Sequence, residues 1–161
     1  MHPTSPRRPS SREAYVWVVD AARAPDYWFP RQCPRALAWV TPETSTADRE
    51  RLGSHRVNAI EYAGFSAMRS VRLFAYRFEA ASFRVFGEHG HAMVATTPVE
   101  PVGPPEPMGE LLALHERAGI ELRELPNLWE FVDAVASSTL GFSGIRLRNA
   151  APRCSRSELH G

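Results

Sequence analysis

AYVWVVDAARAPDYWFPRQCPRALAWV, residues 14–40, decides how the rest of the chain is read. Its first six residues are apolar and rich in β-branched and aromatic side chains, which suits a buried strand, and ALAWV at 36–40 reads as a second. Asp20 ends the first strand, either as a cap for the following turn or as a carboxylate at a strand end, where chemistry is often carried. Tyr27, Trp28 and Phe29 then bring rings that each bury about 150–250 Å². They serve as core or as a stacking platform. Next, prolines 30 and 34 stiffen a loop in which Arg31 and Arg35 flank Cys33. Two nearby cations would favour a thiolate and make Cys33 a nucleophile. The same two guanidiniums would equally clamp a phosphate or carboxylate without the thiol. Alternatively Cys33 points inward as a small apolar residue.

The surroundings of this stretch narrow the function classes. A chain of 161 residues is expected to form one domain. Hydrophobic residues at 43% and charged residues at 23% are ordinary for a globular protein. A net charge of +1 gives no field for general nucleic-acid binding. No apolar run approaches the roughly 18 residues that span a bilayer, and no secretory signal is visible, so a cytoplasmic location is expected. All 19 basic side chains are arginine. Without lysine, PLP anchoring and Schiff-base chemistry are excluded within this chain, and each cation is a permanently charged planar fork.

Outside 14–40 the chain alternates short strands and helices. Residues 1–13 and 151–161 read as a flexible leader and tail around a domain at 14–150. Residues 46–52 form a short capped helix, 57–61 (VNAIE) a strand, 62–68 a helical turn and 71–78 (VRLFAYRF) a strand. Further strands are expected at 83–86 and 92–96. His89 and His91 beside Glu88 lack a third ligand at fixed spacing, so no metal site is assigned. Five prolines within 98–107 mark an extended crossing segment. MGELLALHERA at 108–118 has the apolar stripe of an amphipathic helix. A strand follows at 120–125, then a helix after Pro126 and a strand at 142–147. On that last strand Arg146 and Arg148, two apart, share one face as a second anion-facing surface or as ordinary solvated side chains.

VWVVDAARAPDYWFPRQCPRALAW and TLGFSGIRLRNA resemble an uncharacterised bacterial family known only as a domain of unknown function, over about residues 14–150. Beyond it, the layout is similar to small ADP-ribosyltransferase-type folds. That similarity implies NAD as cofactor, Trp17, Asp20 and Tyr27 at the pocket, and Glu100 as the late acidic residue. The opening His-x-Ser strand of that pattern has no counterpart in MHPTSPRRPSSR, so NAD-dependent transfer need not survive here.

The expected fold is α+β: one domain with a mixed or mostly antiparallel sheet of about six strands and short packed helices. The expected function is binding of an anionic, nucleotide-like or carboxylate metabolite. Arg31 and Arg35 would hold the charge, Arg146 and Arg148 would support it, and Trp17, Tyr27 or Trp28 would stack on a ring. Asp20, Cys33 and Glu100 are the candidate catalytic groups. Two alternatives stand beside it, a non-catalytic protein-interaction module and a cysteine-dependent enzyme centred on Cys33. No signature decides between enzyme and binding protein, and a homo-oligomer is left open.

Overall fold

The computed structural model describes residues 14–87 and 92–153. Residues 1–13, expected as a leader, residues 88–91 with Glu88, His89 and His91, and Cys154 lie outside them. The architecture is α+β, with four α-helices and three sheets of three, four and two strands among the described residues. These residues fall into two compact units. One holds those up to Tyr27 together with Phe74–Pro107; the other holds Trp28–Leu73 and the chain from Met108 onward. The strands are thus shared among small sheets, the largest of four, and do not join one sheet of six.

In the first unit, β1 (Val16–Val19) and β5 (Arg84–Phe86) flank β6 (Ala92–Ala95), both antiparallel to it. Trp17 and Arg84 both stand opposite Val94, which is buried. Trp17 meets Tyr15 and Phe86 edge to face on this sheet, its ring centre 4.8 Å from that of Phe86, and Tyr15 and Phe86 are tilted against each other. After β1, Asp20 accepts the Arg23 N–H on Oδ1 at 2.8 Å and leads into a 3-10 turn at Ala24–Tyr27. Of the expected strand at 71–78, only β4 (Phe74–Ala75) forms, paired with β7 (Glu106–Pro107) at the end of the proline-rich segment. Arg77 and Glu106 bridge the two segments at 2.9 Å.

The second unit is built on a four-stranded mixed sheet. Central are β2 (Arg35–Trp39) and β3 (Arg56–Glu61), antiparallel to each other. Outside them lie β9 (Gly141–Ile145), antiparallel to β2, and β8 (Glu121–Leu125), parallel to β3. The two central strands are buried on both faces, which is why they read as ALAW and VNAI without polar alternation, whereas the outer strands alternate. Helix α1 (Thr46–Leu52) starts at Ser45, whose Oγ accepts the Asp48 N–H, and ends at Gly53 in the left-handed region. Helices α2 (Tyr62–Ser70) and α3 (Leu111–Arg117) pack with Phe29, Cys33, Ile60, Met68 and Leu111 into one core. Helix α4 (Trp129–Ala136) supplies Val135 and Phe131 to a second core with Ala38, Leu52, Val57 and Leu140. Among the described residues no helix is long and apolar enough to cross a membrane.

Candidate functional site

The segment between the aromatic cluster and β2 is bent so that its polar groups face in opposite directions. Phe29 and Cys33 are buried, while Arg31 and Gln32 are exposed. Arg35 begins β2 and is itself buried at 5% exposure, an unusual place for a guanidinium. It is stabilised there by donating to the Cys33 carbonyl at 3.2 Å and by lying 4.8 Å over the Phe29 ring. Phe29 in turn stands edge-on to His115 at 4.7 Å, and His115 is held by its Nδ1 against the Leu111 carbonyl at 2.8 Å. Trp28, half-buried, meets the same imidazole at 6.4 Å.

Arg31 and Arg35 therefore take separate roles. Arg35 fixes the loop from inside, and Arg31 stands in water. Cys33 packs in the core with its sulfur against Gly64 of α2, where an added Cβ would lie 2.7 Å from Sγ. Burial pushes the thiol up from its ordinary value; the Arg35 charge pulls it down by less, and Glu61 adds to the rise. That environment keeps the group a protonated thiol near neutral pH.

At the same end of the sheet, β9 runs out beside the start of β2, with Ile145 opposite Arg35. The chain then turns through Arg146, whose φ of 56° is the single positive value for a residue other than glycine among the described residues. A short 3-10 turn at Leu147–Asn149 follows. Asn149 donates from Nδ2 to the Gln32 carbonyl at 2.9 Å and to its side-chain oxygen at 3.2 Å. Arg31 and Arg148 are each one residue from that junction, and Arg146 stands at its base. Among the described residues Arg31, Arg146 and Arg148 make no ion pair. The chain segments that carry the two arginine pairs are thus bonded to each other at one end of this sheet, with Arg35 buried and Arg31 and Arg148 exposed.

The remaining candidates lie in the first unit. Trp17 is 55% exposed on β1 and engaged with Tyr15 and Phe86. Asp20 caps the turn after β1, Tyr27 closes the 3-10 segment, and Glu100 is exposed in the proline-rich loop. No group of three or more His, Cys, Asp and Glu side chains suited to a metal is present among the described residues.

Two carboxylates, Glu61 and Asp48, tie distant segments of the second unit together. Glu61, at the end of β3, receives the backbone N–H of Leu128 at 3.2 Å and of Ala151 at 3.1 Å, joining α4 and the C-terminal segment to the sheet. Asp48, buried on α1, accepts the Thr139 N–H at 2.8 Å, the Thr139 hydroxyl at 2.7 Å and the Ser45 hydroxyl at 3.0 Å. Those bonds hold its carboxyl below the usual carboxylate range. Both are carboxylates saturated by donors, so their place is in holding the fold.

No curated protein and no solved structure matches the chain. A family model described as a family of unknown function, DUF6886, matches residues 1–150. That stretch includes the 14–40 segment and the Arg146–Asn149 turn that meets it, and the chain therefore belongs to this family of unknown function.

Proposed function

We propose that the protein binds a small anionic metabolite, bearing a phosphate or carboxylate, at the junction of Arg31, Arg146 and Arg148, with Arg35 anchoring the loop from within. The observation that carries this reading is the Asn149–Gln32 pair of hydrogen bonds. It ties together two segments whose three guanidiniums have no ion-pair partner among the described residues. Arg31 and Arg148 each stand one residue from a bonded pair, and a planar oxyanion can accept two or more guanidinium N–H bonds from such neighbours. Backbone strain points the same way: an arginine in the left-handed region is held at a cost of about 1 kcal/mol, and such residues cluster at ligand sites.

A nucleotide such as NAD is one ligand of this class, and the resemblance to ADP-ribosyltransferase-type folds motivates including it among the probes. A cysteine-dependent enzyme has less support, because the Cys33 thiol is buried and shifted toward the protonated form. The interaction-module reading is favoured by one separate observation, the exposed Trp17 with its ring partners on the first unit's sheet.

The test is thermal denaturation in the presence of pyrophosphate, ADP and NAD. Binding at the junction predicts a saturable rise in Tm with at least one of them. Arg31→Ala and Arg148→Ala, both at exposed positions, should remove that rise while changing intrinsic stability by less than about 0.5 kcal/mol. Arg35→Ala should lower stability itself. A ligand-dependent rise that persists unchanged in the Arg31→Ala/Arg148→Ala double variant would sink the proposal. A protein with no small-molecule response but a concentration-dependent mass would favour the interaction module.

A further inference from the structure

A hollow of about 110 Å³ opens between α1, β8 and α4 in the second unit. Leu52, Phe131, Val135 and Leu140 make it apolar, and Arg51 and Arg123 are among the residues that line it. Arg123 donates to the Leu52 carbonyl at 3.1 Å, which brings its head group to the residue next to Arg51. Its guanidinium carbon lies 5.8 Å from the Phe131 ring centre. Neither cation is fully committed. A guanidinium carries five N–H donors. Arg51 gives one, to Asp48 at 3.1 Å. Arg123 gives its Nε–H and both N–H bonds of one amino group, to Glu121 and Leu52. Among the described residues, the other Arg123 amino group and the rest of the Arg51 fork remain available. Asp48 holds Arg51 through Oδ1, while its Oδ2 is occupied by Ser45 and Thr139.

An empty apolar cavity of about 150 Å³ takes a benzene ring. A slightly smaller hollow that is open at one side takes a tail of about four to seven carbons and leaves the head group at the rim. Both guanidiniums at the rim are ion-paired, Arg51 with Asp48 and Arg123 with Glu121, and each keeps forked donors to offer. We propose that this pocket binds a small monocarboxylate with a short apolar tail, the tail on Leu52, Phe131, Val135 and Leu140 and the carboxylate held by Arg51 and Arg123. It is independent of the Arg31–Arg146–Arg148 junction, none of whose residues lines this hollow.

Benzoate and 4-methylpentanoate are the probes, titrated against the full chain by thermal shift, with benzyl alcohol and 4-methylpentanol as neutral counterparts. The acids should give a saturable rise in Tm, and the alcohols should bind at least about tenfold more weakly, since they lack the charge-assisted bonds. Arg51, with its side chain 69% exposed, can be changed without disturbing the core. Arg51→Gln should weaken the acids by at least about tenfold. Ala134 is an exposed lining residue, and Ala134→Leu should close the hollow and abolish the response. Arg31→Ala should leave it intact, which separates this site from the junction. The inference is overturned if neither acid gives a saturable shift, if the alcohols match the acids, or if Ala134→Leu binds as well as the parent with native circular dichroism.

Discussion

At the scale of single residues, the sequence around Cys33 is decided by a sulfur atom and a missing methyl group. Cys33 and Gly64 touch across the core, and a Cβ at residue 64 would approach Sγ to 2.7 Å, well inside normal contact. Gly64→Ala sets two effects against each other. Alanine in a helix interior gains about 1 kcal/mol over glycine, while overpacking a buried contact costs about 1–3 kcal/mol. The clash should win, so Gly64→Ala is expected to destabilise the protein in urea denaturation. In a Cys33→Ala background the sulfur is gone, and the same change should become neutral or stabilising by up to about 1 kcal/mol. Energies that simply add around this cycle would mean the contact is not what makes residue 64 glycine. Arg146 makes the opposite case. Its φ of 56° is one a glycine adopts without strain, so Arg146→Gly should keep or raise stability by up to about 1 kcal/mol. The same variant should weaken the anion response in the thermal assay. Loss of stability together with loss of response would indicate a structural role for the side chain.

At the scale of elements, α1 shows how a seven-residue helix is made secure by one carboxylate. Ser45 and Asp48 bond reciprocally across its first turn, and Asp48 also receives both donors of Thr139, 91 residues away in sequence. Because the carboxyl is held below its ordinary value in the fold, the unfolded chain binds a proton more readily than the native one. The stabilisation is therefore complete above the unfolded carboxyl value, near pH 4, and is lost as pH falls through the native value. Asp48→Asn should lower Tm at pH 7, and the gap to the parent should narrow steadily below pH ~4. A gap of constant size from pH 7 to pH 3 would show that charge is not what Asp48 contributes. The sequence announces the local half of this arrangement, since Ser45 followed three residues later by Asp48 is a helix-start pattern. It is silent on Thr139, because a bond across 91 residues leaves no periodic trace. The same limit applies to Glu61, which reads as an ordinary strand-end carboxylate until Leu128 and Ala151 are seen donating to it.

At the scale of the whole molecule, the α+β class and most elements follow from patterning. Apolar runs bounded by polar turns mark β1, β2 and β3, and the stripe in MGELLALHERA marks α3. Less legible was the division of labour among strands. Residues 71–78 alternate only in part, and only Phe74–Ala75 pairs, because β7, its partner, is two residues of a proline-rich segment with few N–H groups to offer. Residue type and spacing single out Arg31, Arg35, Arg146 and Arg148, but the bonding of the two segments that carry them depends on Asn149 reaching Gln32 across 117 residues. The two units also differ in what holds them. The second has three apolar clusters around a four-stranded sheet, whereas the first leaves Trp17, Phe74 and Val85 exposed on short strands and Tyr76 exposed just after β4. Amide protection follows buried contact density, and segments poor in it open without global unfolding. Hydrogen exchange should therefore be slowest at Val57, Asn58, Ala59 and Ile60 on β3, paired on both sides and almost fully buried. The β4–β7 pair and β5, of two and three residues, should exchange at least about a hundredfold faster, a difference of about 3 kcal/mol in opening free energy. Equal protection across both units would mean that they unfold as one cooperative body, and that the sparse contacts of the first are reinforced by something other than its own side chains.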